Sequence, residues 1–144
     1  MGGRGGSCEH RLVGPTVLVV DDHADFRRSV RALLEADGYV VVGEAAGGGE
    51  VAEAVRRLRP RIVLLDITLP DLDGFAVADQ LAATPDAPAV VLISSRDGRA
   101  YGARLTAAPA RGFIAKRELS GERLALVVGE PPEDRPGDVP QEAS

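Results

Sequence analysis

The chain has 144 residues, 44% of them hydrophobic and 27% charged, with a net charge of −5 and a single cysteine. That length supports one domain with a good core and not two; no apolar stretch approaches the ~18 residues of a membrane span, and the charge lacks the basic excess of a nucleic-acid binder. Cys8 has no partner for an internal disulfide, and the Met1 to Ser7 stretch has neither the apolar core of a signal peptide nor the Ser/Thr that myristoylation requires, so the expected location is the cytoplasm, with no membrane contact.

Residues 1–11 are rich in Gly and Arg and are expected to be disordered. Val17-Leu18-Val19-Val20 then runs straight into Asp21-Asp22. Runs of four apolar residues bounded by polar ones read as buried parallel strands. Phe26, Val30, Leu33 and Leu34 follow at i, i+4, i+7 and i+8, one face of a helix that should stop near Asp37-Gly38. The second strand is predicted over 39–42. Gly47-Gly48-Gly49 reads as a turn, and Val51, Val55 and Leu58 give a second helix ended by Pro60. Ile62-Val63-Leu64-Leu65 is the third strand and ends in Asp66. A third helix is predicted over 74–83, stopped by the stretch from Pro85 to Pro88. The fourth strand, 90–93, ends in Ser94-Ser95. A poor helix over 98–107 follows, weakened by Gly98 and Gly102 at roughly 1 kcal/mol each against alanine. The fifth strand, 112–115, ends in Lys116, and a fifth helix is predicted over 118–128. Five βα units in a row argue an α/β fold, a parallel sheet with helices on both faces. Beyond residue 129 the chain carries five acids against Arg135, a local net of −4, among four prolines. That segment, 130–144, is expected to be a disordered acidic tail, leaving one folded domain over 12–129.

The residues of chemical interest all stand at strand ends, where open α/β sheets bind their ligands. If the first and third strands are neighbours, Asp21, Asp22 and Asp66 crowd together, and like charges that close need a cation or a reaction to serve. Hard carboxylate oxygens suit Mg²⁺, which takes one or two protein carboxylates and keeps waters or phosphate oxygens. A carboxylate can also attack phosphorus to form an aspartyl phosphate. Ser94 offers a hydroxyl and Lys116 a point charge, both suited to phosphoryl oxygens. Lys116 is the only lysine in the chain. Alone, a strand-end serine usually begins a turn, and Phe113 reads as core.

Asp21-Asp22, Asp66 with Pro70 and Gly74 after it, Ser94, and the Gly-Phe-Ile-Ala-Lys run ending at Lys116 together resemble the receiver domain of bacterial response regulators. The resemblance covers about residues 15–129. Asp66-Ile67-Thr68-Leu69-Pro70 and Lys116-Arg117-Glu118-Leu119-Ser120 look most like receivers of LuxR-type regulators. The resemblance implies a flavodoxin-like doubly wound (βα)5 sheet of order 2-1-3-4-5. It implies that Asp66 accepts a phosphoryl group from a phosphohistidine on a sensor histidine kinase or phosphotransfer protein. Asp21, Asp22, Asp66 and the backbone carbonyl of Thr68 would hold Mg²⁺, Ser94 and Lys116 would bind the phosphoryl group, and Phe113 would change rotamer on activation. Such a chain would catalyse its own phosphorylation and dephosphorylation and would switch contacts with a downstream protein, the weak 98–107 segment being the movable part. Homodimerisation is common in the family.

Two departures stand out. Arg117 replaces the proline that often follows the lysine, so a cis peptide at 116–117 is not implied. The tail is too short for the helix-turn-helix that LuxR-type regulators carry, so no direct DNA binding is expected. A competing reading is a receiver-like docking module that is never phosphorylated, which the intact set of five residues argues against. A haloacid-dehalogenase-type phosphatase needs a second acid where Thr68 stands, and a flavin phosphate would be repelled by Asp21-Asp22. Asp71-Leu72-Asp73-Gly74 fails as a calcium loop because Leu69 stands where the first acid is required. His10 and His23 have no partners at metal-ligand spacing, and His23 reads as a solvent-facing helix start.

Overall fold

The computed structural model describes residues 14–129; the flanks expected to be disordered, 1–11 and 130–144, lie outside the described residues. Strands and helices alternate: β1 (Thr16–Val20), α1 (Ala24–Ala36), β2 (Val40–Ala45), α2 (Val51–Leu58), β3 (Ile62–Asp66), α3 (Gly74–Ala82), β4 (Ala89–Ser94), α4 (Ala103–Ala107), β5 (Gly112–Ala115) and α5 (Gly121–Val128). The strands form one sheet of order β2-β1-β3-β4-β5, and every pairing is parallel. This is the flavodoxin-like order expected from the resemblance.

Side chains alternate across a strand, so an apolar run supplies both faces of the sheet. Val17, Val19, Ile62, Leu64, Val91 and Ile93 pack with Val30 and Leu34 of α1 and Leu124 and Val128 of α5. Leu18, Val20, Val63, Leu65, Val90 and Leu92 pack on the other face with Val51 of α2 and Phe75, Val77 and Leu81 of α3. Val17 to Val20 and Val63 to Leu65 are wholly enclosed, and each such side chain contributes roughly 1.5–3 kcal/mol on burial.

Three predicted elements differ. The second strand is Val40–Ala45 rather than 39–42; Tyr39 is buried just before it, and its hydroxyl donates to the Gly121 carbonyl at 3.0 Å. The 98–107 helix is broken into a single turn, Gly98–Ala100, and the short α4. The break falls at Gly102, whose φ of 56° favours glycine. The last helix begins at Gly121, three residues later than predicted, after a separate turn at Lys116–Glu118. Ser120 sets that start by accepting a hydrogen bond from the Arg123 N–H at 3.0 Å. Among the described residues no peptide bond is cis, Lys116-Arg117 included.

The order of strands reverses between β1 and β3, which pair directly with Val20 opposite Leu65. The next residues of the two strands, Asp21 and Asp66, therefore meet at the carboxyl edge, where doubly wound folds place their ligands.

Candidate functional site

Asp21 is fully enclosed and Asp66 is 2% exposed. Lys116, carried just past β5, reaches both: its Nζ lies 2.5 Å from Asp21 Oδ2 and 3.3 Å from Asp66 Oδ2. Phe26 of α1 covers the ammonium, with its ring centroid 4.4 Å from Nζ. Burial pushes the Asp66 carboxyl above the ordinary carboxylate range, assisted by the Asp21 charge, although the Thr68 N–H and Lys116 work against it. Burial alone would lower the Lys116 ammonium, but Asp21 and Asp66 outweigh it and hold the group above its usual value. The lysine therefore stays charged, and Asp66 is an acid held at a cost.

Asp66 Oδ1 accepts the Thr68 N–H at 3.1 Å and the Thr68 hydroxyl at 3.4 Å. Asp21 Oδ1 accepts the His23 N–H at 2.8 Å. Asp21 Oδ2 has its ion pair with Lys116 but no well-directed hydrogen bond. Asp22 is exposed beside them. The His23 ring completes the group, its Nδ1 lying 3.1 Å from Asp21 Oδ1 and 3.3 Å from Asp22 Oδ1. Asp21, Asp22, His23 and Asp66 offer ligand atoms that all lie within 4.8 Å of one another. An enclosed carboxylate oxygen with unused acceptor capacity, set among hard oxygens, fits a small divalent cation such as Mg²⁺.

Ser94 is fully buried at the end of β4 and follows Ile93, the register partner of Asp66. Its hydroxyl accepts the Arg96 N–H at 3.0 Å and shares a 2.6 Å hydrogen bond with the Tyr101 hydroxyl. Tyr101 meets Phe75 edge-on at 5.9 Å and Phe113 at 6.2 Å. Phe113 is thus half-buried against Tyr101 and Gly98 rather than sealed in the core.

The loop after β3 is fixed by its own acids. Asp73 caps α3 by accepting the Phe75 N–H at 2.9 Å and pairs with Arg104 of α4 at 2.7 Å. Asp71 accepts the N–H groups of Gly48 and Gly49 at 2.8 and 3.0 Å, which hold its carboxyl below the usual range. Gly74 donates to the Ile67 carbonyl, and a Cβ placed on it would meet the Asp66 carbonyl oxygen at 2.5 Å. These two acids tie loops together, a role their calcium-like spacing did not suggest.

The structure therefore gathers Asp21, Asp22, Asp66 and Lys116 in one hollow, with Ser94 at the adjoining strand end. Thr68 reaches Asp66 through its N–H and hydroxyl; its carbonyl enters none of these contacts. His23 and Tyr101 were missed. The proximity of His23 to the acid pair is the one sequence signal for it, and Tyr101 reads from sequence only as the i, i+4 partner of Leu105 in a poor helix.

The family model for the response regulator receiver domain matches residues 17–128. A Pseudomonas aeruginosa protein named as a transcriptional regulator is 37% identical over 108 residues, which are 75% of this chain and 52% of that protein. The DNA-binding transcriptional activator EvgA of Escherichia coli is 28% identical over 76% of this chain and 54% of its own. The chain thus spans about half the length of these two relatives. Among solved structures, the signal receiver domain of NarL from Mycobacterium tuberculosis superposes with a TM-score of 0.71 at 32% identity, covering 81% of this chain and 98% of that one. A LuxR-family two-component response regulator from Aurantimonas gives 0.71 at 29% identity, covering 90% of this chain and 94% of that one. With five parallel strands in this order and the acids of β1 and β3 facing a lysine after β5, the chain belongs to the response regulator receiver domains of two-component signalling, most like those of LuxR-type regulators.

Proposed function

We propose that this receiver is a phosphoacceptor, with Asp66 taking a phosphoryl group from a phosphohistidine of a sensor histidine kinase or phosphotransfer protein. The observation that carries this reading is a nearly buried carboxylate held beside a second buried acid and one ammonium. An Asp66 oxygen attacks phosphorus; the P–N bond to the donor imidazole breaks, and the nitrogen keeps the electron pair and is protonated. Release is the attack of water on the same phosphorus, which frees inorganic phosphate and restores the carboxylate.

Asp21, Asp22, Asp66 and the Thr68 carbonyl would hold Mg²⁺, which when bound supplies the charge that lets an anionic nucleophile meet an anionic phosphoryl group. Lys116 pairs with the phosphoryl oxygens as they arrive, and Ser94 donates its hydroxyl to them. The phosphoryl group, carrying about −1.5 to −2 charge in place of the single charge of the carboxylate, biases the segment between β4 and β5, with Phe113 changing rotamer, and alters contacts with a downstream protein. Action in the cytoplasm and pairing into a homodimer belong to the same proposal, and direct DNA contact by the described residues does not. Among those residues no helix is long and apolar enough to cross a membrane.

Incubation with acetyl phosphate and Mg²⁺, read by intact-protein mass, tests the reading. Wild type should gain one phosphoryl group and Asp66→Asn none. Equal gain in both moves the acceptor elsewhere; no gain in wild type leaves the docking-module reading.

A further inference from the structure

Ser94 is already engaged. A hydroxyl has one proton and two acceptor lone pairs. In this chain it accepts the Arg96 N–H and shares a short bond with Tyr101 Oη. Phe113, the β5 aromatic, has no hydroxyl to offer. Tyr101 belongs to the segment between β4 and β5, outside any regular helix, immediately before the Gly102 break. Its ring is seated against Phe75 of α3 and Phe113 of β5. Arg104, one turn on, lies over Phe75 and pairs with Asp73. One tyrosine therefore links the Ser94 hydroxyl, the aromatic of β5 and the first turn of α3.

We propose that Tyr101 is a positioning residue for Ser94, and that its hydroxyl is the contact exchanged when Asp66 is phosphorylated. This rests on the phosphoacceptor reading above. In the unmodified chain the Ser94–Tyr101 bond occupies the serine hydroxyl. Whichever oxygen donates, that bond fixes how the serine hydroxyl is turned, and phosphoryl oxygens at Asp66 are stronger, charged acceptors for the serine proton. Ser94 turns to them, the Tyr101 hydroxyl is released, and the 98–107 segment loses its tie to β4. The state of Asp66 is thus conveyed through a hydroxyl on the moving segment itself, with Phe113 following the Tyr101 ring by contact.

The sign of the effect follows. Tyr101→Phe keeps the ring packing and removes only the competing hydroxyl, so it should favour the phosphorylated form. A net hydrogen bond of ~1 kcal/mol corresponds to about a fivefold change. The acetyl phosphate concentration for half-maximal labelling of Asp66, in Mg²⁺, should therefore fall about fivefold in Tyr101→Phe. In a Ser94→Ala background the same tyrosine substitution should change nothing. Amide exchange across 98–107 in unphosphorylated Tyr101→Phe should move toward that of phosphorylated wild type. Wild type that labels normally, with Tyr101→Phe unchanged in both half-saturation and exchange, overturns this proposal and leaves the phosphoacceptor reading standing. An equal shift with and without Ser94 overturns it also, because the tyrosine would then act through packing. Absence of label on wild type overturns both readings together.

Discussion

Asp66 is the residue whose environment most opposes its charge. It is enclosed at 2% exposure beside the buried Asp21, and burial is the leading cause of its raised carboxyl. A carboxyl whose folded value exceeds its ordinary value near 3.8 costs no stability while it is protonated in both states. The cost enters as pH rises through the folded value and is complete above it. Asp66→Asn keeps the shape and removes the charge. Its Tm should match wild type near pH 3 and exceed it at pH 7. Calorimetry across that range checks the sign; an Asn variant less stable at pH 7 would mean that Lys116 and Thr68 more than offset burial. His23 shows the converse limit of residue-level reading: its ring, 68% exposed, still lies against both acids of β1.

At the scale of elements, the loop from β3 to α3 decides where Asp66 can sit. Asp73 caps α3, Asp71 is held by two glycine N–H groups after β2, and Gly74 packs its bare Cα against the Asp66 and Ile67 backbone. The Gly74 motif thus has a steric cause. Gly74→Ala would drive a methyl into backbone that cannot swing aside, at a cost of ~2 kcal/mol, and would displace the acid. Urea denaturation should show the lost stability, and acetyl phosphate labelling should slow by more than in an alanine substitution at exposed Gln80 of the same helix. A Gly74→Ala protein as stable as wild type would show that the loop can yield. The last helix has a comparable anchor in the fold: Gly121 donates to Asp37 Oδ2 at 3.0 Å while its carbonyl receives Tyr39. That pair of bonds joins the end of α1 to the start of α5.

Across the whole molecule, the doubly wound order brings three ends of distant strands to one hollow, and that hollow is electrostatically frustrated without a cation. Among the described residues, Lys116 is the one Lys or Arg side chain paired with the Asp21 and Asp66 carboxylates there. Mg²⁺ should therefore raise the Tm, by about 2.7 kcal/mol of added stability at a hundredfold excess over its Kd. Lys116→Met leaves two enclosed carboxylates facing each other and should cost ~3 kcal/mol in metal-free buffer. Its gain from Mg²⁺ should exceed that of wild type. Thermal melts with chelator and with millimolar Mg²⁺ measure both, and an equal metal gain in the two proteins would remove the cation from the acid pair.

Much of this was legible in the residues alone. Four-residue apolar runs fit strands covered on both faces, so their alternation with helical spacings pointed to the α/β class, and the polar residues ending the first, third, fourth and fifth runs placed the chemistry at the carboxyl edge. The family resemblance supplied the strand order. The structure decided what depends on neighbours distant in the chain. It lengthened β2, because the edge strand pairs with β1 through Ala45. It split the 98–107 segment at Gly102, where a left-handed backbone breaks the helical path. It joined Tyr101 to Ser94 and Asp71 to Gly48 and Gly49, contacts that follow from the packing of separate elements and leave no periodic trace in the sequence.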